Sequence, residues 1–411
     1  MAVSFRHAQL PNGLTIIGEI DAAAHTAAAG FFVRTGARDE SPEVMGVSHF
    51  LEHMMFKGSE RLGPEAVNEA FDSIGAEHNA FTSAEMTAFH AHTLPDTLPQ
   101  AVDTLAEILR PALRPADFTE EKGVILEEIA MYEDNPYWRL YERGLERYYG
   151  GHPLGHRVLG TRETIAALTR DAMHAYFESR YSADNTVVAA AGRVDFDALV
   201  AQISSRCGDW KPTAPSRLSP PFAPTRLDFT DQHESAKRAY LMFAAPAPGM
   251  EDPRRYAASV LMHILGGGDG SRFHWALIET GLAEEAESGH DPRDGLGAFL
   301  ITASCLPEAR DEVEALIRRE IDRLGPDLAE DELVRAKRKI ATGVVLAGER
   351  PAGRMMRIGA LWTSQRLHRS LETEMEAIER LTLKDLRACL AEFPPLPMLI
   401  ARLEPQVTLG S

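Results

Sequence analysis

Cysteine is scarce in this chain: three residues in 411, Cys207, Cys305 and Cys389, with no C-x-x-C pair. That excludes a disulfide framework and a thiolate zinc site as organising features. An excess of positive charge is lacking as well. The formal net charge of −18 argues against nucleic acid as a partner, because phosphate binding needs clustered Lys and Arg. No apolar run approaches a membrane span, so no membrane partner is expected. The start, Met1-Ala2-Val3-Ser4-Phe5-Arg6-His7, lacks the apolar core of a secretory signal, which makes the cytoplasm the expected location. What is present is ordinary for a folded protein: 44% hydrophobic and 25% charged residues. The length favours two or three domains over one core.

Proline is concentrated in one place. Residues 211–226, KPTAPSRLSPPFAPTR, hold five prolines, and such sequence resists both helix and sheet. It reads as an extended linker between residues 1–210 and 227–411. The two parts look like remote repeats. Strands over Thr15–Ile20 and Ala28–Thr35 and helices over Val44–Phe56 and Pro64–Ile74 face a strand over Ala239–Ala244 and a helix over Pro253–Leu265. Leu98–Leu109 matches Ala309–Leu324 as an amphipathic helix, each after a Leu-Pro step (Leu94-Pro95, Leu306-Pro307). Acid-started helices follow, Thr119–Asp134 and Glu330–Leu346. Each part closes on Leu-Thr, a charged helix and an apolar strand: Leu168-Thr169 to Val187–Ala191, and Leu381-Thr382 to Met398–Ala401. Matched order across these elements points to duplication within an α+β protein.

The stretch His49-Phe50-Leu51-Glu52-His53 reads H-x-x-E-H. On a helix, residues i and i+4 share a face, so both imidazoles can address one ion. Glu52 lies close enough to reach a water on that ion without being a ligand. Hydrolytic zinc chemistry needs this: nitrogen ligands that leave a position open, and a base. Taken alone, the pattern also fits a charged helix face that carries two histidines. The second part has no such motif, so the metal chemistry belongs to the first.

A carboxylate is the usual third ligand. In the helix Thr119–Asp134, Ile125, Ile129 and Tyr132 mark the buried stripe. At about 100° per residue, Glu128 lies roughly 60° and Glu121 roughly 40° from Ile125, whereas Glu127 lies roughly 160° away and faces solvent. A carboxylate on the inward face needs a cation or donors. Glu128 is therefore the candidate third ligand, and Glu121 a supporting acid able to hydrogen-bond a ligand histidine.

With these residues in place, the chain resembles the pitrilysin family of inverzincin metallopeptidases, and within it the subgroup of mitochondrial processing peptidase and its bacterial relatives. The resemblance rests on Gly46–Ser59, on Gly75-Ala76-Glu77-His78-Asn79-Ala80-Phe81-Thr82-Ser83, on Lys122–Ile129, and on Pro153–His156 with Leu159-Gly160-Thr161. The 74 residues between His53 and Glu128 match the family's long gap. It implies one zinc per chain held by His49, His53 and Glu128, Glu52 as general base and Glu121 as a supporting acid. It implies an α+β fold of two homologous domains, each an antiparallel sheet with helices packed on it. It also implies that Asn79, Ala80 and Phe81 lie on an edge strand where an unfolded peptide adds as a further strand. Asn79 by itself reads equally as a turn residue entering a strand.

One stretch departs from the family. Leu277 stands where an Arg is expected and Glu284 where a Tyr is expected, in Leu277-Ile278-Glu279-Thr280-Gly281-Leu282-Ala283-Glu284. Members lacking that pair resemble those working with a partner subunit. The resemblance therefore implies a zinc endopeptidase in a dimer, with a homologous subunit or with a second copy.

Overall fold

The computed structural model describes residues 3–406. In chain order the first half runs β1 (Ser4–Gln9), β2 (Thr15–Ile20), β3 (Ala27–Val33), α1 (Val47–Phe56), α2 (Pro64–Asp72), β4 (Glu77–Thr82), β5 (Thr87–Thr93), α3 (Leu98–Ile108), α4 (Pro115–Asp134), α5 (Pro136–Tyr149), α6 (Arg162–Ala167), α7 (Arg170–Arg180), β6 (Thr186–Gly192) and α8 (Phe196–Cys207). The second half runs β7 (Leu227–His233), β8 (Ala239–Ala247), α9 (Arg255–Gly266), β9 (Ala283–Pro292), β10 (Gly297–Cys305), α10 (Arg310–Arg323), α11 (Glu330–Glu349), α12 (Pro351–Gln365), α13 (Leu371–Glu379), α14 (Leu383–Glu392) and β11 (Leu399–Pro405). Residues 211–226 carry neither helix nor strand. No helix among the described residues is long and apolar enough to cross a membrane.

The fold is α+β with two sheets. The first has the order β1-β2-β6-β3-β5-β4 and the second β7-β11-β8-β10-β9. Without β1 the orders are identical, strand for strand, and the duplication read from the sequence is visible in the topology. Each sheet is antiparallel apart from one neighbour pair, β2 with β6 and β7 with β11. Equivalent lysines do equivalent work. Lys122 on α4 donates to the Ala166 and Leu168 carbonyls that end α6 (3.0 and 2.7 Å). Lys337 on α11 donates to the Glu379 and Leu381 carbonyls that end α13. The two Leu-Thr steps both start helices: Thr169 caps α7 and Thr382 caps α14.

The compact units are not contiguous in sequence. Among the described residues, one comprises 3–129, 156–218 and 345–369; the other comprises 130–155, 219–344 and 370–406. Each half thus sends one helix to the other half's sheet. In the first unit, α12 covers one face of the sheet through Met355 and Ile358, against Ala28, Phe32, Val187 and Ala189. The opposite face carries the larger core, with Phe31, Val33, Val188, Phe50 and Ile125. Coverage on both faces explains why β3 and β6 are continuous apolar runs, buried at every residue. In the second unit α5 packs on β8, β11 and β7.

Candidate metal centre

The first unit holds all of the sequence-predicted site residues. α1 starts at Gly46, whose φ of +92° is left-handed. A Cβ there would sit 2.5 Å from the Leu159 carbonyl oxygen, so the entry to the helix requires glycine. Glu40 then accepts the Gly46 and Ser48 N–H groups, both at 2.7 Å, satisfying donors that a helix start leaves orphaned. Burial pushes the Glu40 carboxyl up to about 8, against the opposing pull of those donors.

His49 and His53 project from one face of α1, with ring centroids 4.7 Å apart. Glu128 on α4 meets both: its Oε2 lies 3.8 Å from His49 Nε2 and 3.7 Å from His53 Nε2. The three donor atoms lie within 4.8 Å of one another, and no other such group occurs among the described residues. Glu121 lies two turns before Glu128 and is buried. It accepts a hydrogen bond from His53 Nδ1 at 2.8 Å and pairs with Lys57 Nζ at 2.8 Å. With Nδ1 carrying the proton, Nε2 is the nitrogen that can ligate. His49 Nδ1 is buried and has no hydrogen-bond partner.

The electrostatics separate the two imidazoles. Burial, with His53 alongside, pulls His49 down to about 3, leaving it neutral. Burial also opposes charge on His53, but its bond to Glu121 and the charges of Glu121, Glu128 and Glu52 outweigh it, and its pKa is raised. Glu52 is raised by burial. Glu121 is lowered, chiefly by the hydrogen bond from His53.

The donor set fits a divalent cation on two counts. The nitrogen–oxygen separations lie near the roughly 3.3–3.5 Å edge of a tetrahedron with zinc-length bonds of about 2.0–2.1 Å. Three carboxylates, Glu52, Glu121 and Glu128, also converge where Lys57 and His53 are their near counter-charges, and such a surplus favours a cation.

Asn79, Ala80 and Phe81 lie on β4, paired with His90, Phe89 and Ala88 of β5. β4 ends the sheet, and its outer side pairs with no other strand among the described residues. Thr82 closes the strand and donates its hydroxyl to Glu52 Oε2 at 2.6 Å. Sequence reasoning gave no role to Thr82 or Lys57, although both fall in the quoted motif stretches. It also missed Glu40 and Arg217. Arg217 lies in the proline-rich segment, yet its side chain is 5% exposed. It donates to Asp39 at 3.0 and 2.7 Å and to the Glu85 carbonyl at 2.5 Å. Arg38 donates to the Glu85 carboxylate at 2.5 Å. This cluster ties the linker to the lead-in of α1 and to the β4–β5 turn. In the second unit, Leu277 is fully buried and Glu284 pairs with Arg238. Neither position supplies an Arg or Tyr.

Residues 15–162 match the family described as insulinase (peptidase family M16), and residues 167–340 match the peptidase M16 inactive domain. An uncharacterized zinc protease of Mycobacterium tuberculosis is 34% identical over 394 residues, covering 94% of this chain and 90% of that protein. The uncharacterized zinc protease YmxG of Bacillus subtilis is 30% identical over 353 residues, 85% of each chain. Among solved structures, a protease from Helicobacter pylori superposes with a TM-score of 0.91 at 19% identity, covering 98% of this chain and 100% of that one. A chain of complex III from Candida albicans gives 0.85 at 19% identity, covering 98% and 96%. At such identities these two share the fold. The family matches across both halves, with relatives aligned over nearly the whole chain, establish that the protein belongs to peptidase family M16.

Proposed function

We propose that this chain is a zinc-dependent endopeptidase that hydrolyses unfolded peptides or targeting-like segments. The observation that carries the reading is the convergence of His49, His53 and Glu128, with Glu52 and Glu121 beside them. His49 and His53 through Nε2, and Glu128 through a carboxylate oxygen, would hold the ion. Bound zinc supplies a Lewis acid that polarises the scissile carbonyl and makes water a stronger acid. Glu52 takes a proton from the attacking water and passes it to the leaving amine. Its raised pKa suits a group that must hold that proton in between. Glu121 fixes the tautomer and ring orientation of His53. The substrate lies along β4, where backbone pairing at Asn79–Phe81 grips extended chains with little sequence preference. Leu277 and Glu284 leave the Arg/Tyr pair unfilled, which favours a chamber completed by a partner, a homologous subunit or a second copy.

The likeness to a complex III chain favours one rival, an interaction or assembly subunit without catalysis. Metal analysis combined with hydrolysis of fluorescein-labelled casein separates the two. The peptidase reading expects about one zinc per chain, cleavage lost on chelation and restored by zinc. A chain that binds zinc yet cleaves nothing, alone or mixed with a homologous subunit, supports the rival.

A further inference from the structure

We infer that Thr82 is a positioning residue for the Glu52 carboxylate, so that one hydroxyl joins the strand that binds substrate to the base that acts on it. The inference rests on the peptidase reading above. Its grounds are geometric. Thr82 is the last residue of β4, the edge strand, and its Oγ lies 2.6 Å from Glu52 Oε2. A second hydroxyl, Thr87 Oγ, lies 3.5 Å from Thr82 Oγ, directly across the hairpin.

The direction of these bonds is set by an acceptor that cannot donate. Thr87 Oγ is 2.9 Å from the Thr35 carbonyl oxygen, so its single proton is committed there. Thr82 therefore receives no proton from Thr87, and its own goes to the nearer and stronger acceptor, the carboxylate. The Thr35 end is itself held, because Thr35 Oγ meets Tyr176 hydroxyl at 2.7 Å and that hydroxyl meets Ser48 Oγ at 2.7 Å. Ser48 sits on α1, one turn before Glu52. The Thr82 hydroxyl thus holds the base from the edge strand, while Thr87 across the hairpin is anchored separately to Thr35.

The consequence is specific to one oxygen. Oε2 keeps an acceptor role towards Thr82 whether or not Glu52 is protonated. Oε1 has no hydrogen bond among the described residues and is the atom left to exchange a proton with water. A peptide added to β4 is registered against the backbone that carries Thr82, so its scissile bond and Oε1 share one frame.

The test uses the zinc-loaded full chain with Thr82→Val, which keeps shape and strand preference but removes the donor, and Thr82→Ser, which restores it. Crystal structures of the three proteins read the position of Glu52 directly. The expected result is one Glu52 rotamer in wild type and Thr82→Ser, and a displaced or split carboxylate in Thr82→Val. In casein hydrolysis, Thr82→Val is expected to lower kcat about tenfold, with KM and zinc content unchanged, and Thr82→Ser to stay within about twofold. An undisturbed Glu52 rotamer in Thr82→Val overturns the inference, as does an equal fall in kcat for both variants. Glu52→Gln is the control for the reading beneath it: if that variant cleaves normally, the peptidase mechanism fails, whatever Thr82 does.

Discussion

The two units share a five-strand order and differ in what their helices carry. Aligning α4 with α11 on the carbonyl-capping lysines, Lys122 and Lys337, sets Ala336 where Glu121 stands and Gly343 where Glu128 stands. Ala336 is buried in an apolar core. α9 reads RYAASVLMHILG, with Val260, Leu261, Met262 and Leu265 buried, where α1 carries its histidines and Glu52. The backbone plan therefore supports either a charged site or a plain apolar core. The His–Glu cluster is an addition to one copy that the other copy does without. The additions are costly in their surroundings, because buried acids and imidazoles demand partners. The first unit accordingly contains a second layer, Glu40, Lys57, Thr82 and the Arg217 cluster, whose bonds hold the first.

That contrast can be pressed at four points. Arg217→Ala strips the nearer of two arginines from the buried Asp39 carboxylate and leaves Arg180 at 3.7 Å, so the cost should approach, from below, the roughly 3–5 kcal/mol of a broken buried pair. Hydrogen exchange should show residues 37–48 and 83–86 opening while the second unit keeps its protection; equal loosening of both units would refute a local brace. Glu121→Gln removes the charged partner of His53 and should weaken zinc binding by about 10–100-fold, measured by competition with a chromophoric chelator.

The third point is pH. The Glu40 pKa of about 8 lies above its ordinary 4.5, so the folded chain holds a proton that the unfolded chain releases between those values. Its contribution to stability is complete below about pH 4.5 and declines as pH rises through 8. Denaturant titrations across that range should slope less in Glu40→Gln. The smallest effect tests the duplication itself. Lys122→Met and Lys337→Met each remove one capping lysine and should cost about 1 kcal/mol apiece, by the same measurement. Strongly unequal costs would mean that the two lysines are not equivalents.

Much of the candidate site was legible because it is helical and local. The i, i+4 spacing of His49 and His53 needs no tertiary knowledge, and the helical wheel of residues 119–134 singled out Glu121 and Glu128 over Glu127, which is exposed. Burial of an acid on an apolar stripe is itself a signal. The bonds that hold these residues were not legible, because Thr82 to Glu52 and Arg217 to Asp39 cross between distant elements. Composition read residues 211–226 as extended linker, and they carry neither helix nor strand, yet composition could not tell that one arginine among the prolines is buried. The exchange of α5 and α12 was hidden for a similar reason. An amphipathic pattern shows that a helix has a face to bury and not which sheet will bury it. Close packing left its own trace in each. Gly359 of α12 sits against the Phe32 ring and Gly144 of α5 against Met242 Sδ, where a Cβ would come within 2.3 and 2.4 Å.

The central claim is that the first unit is a working zinc site with Glu52 as its base. Glu52→Gln, assayed for zinc content and casein hydrolysis on one preparation, tests it most directly. The prediction is zinc at the wild-type level of about one per chain, with hydrolysis reduced by about 10²–10⁴-fold. Wild-type cleavage by the zinc-loaded variant would contradict it.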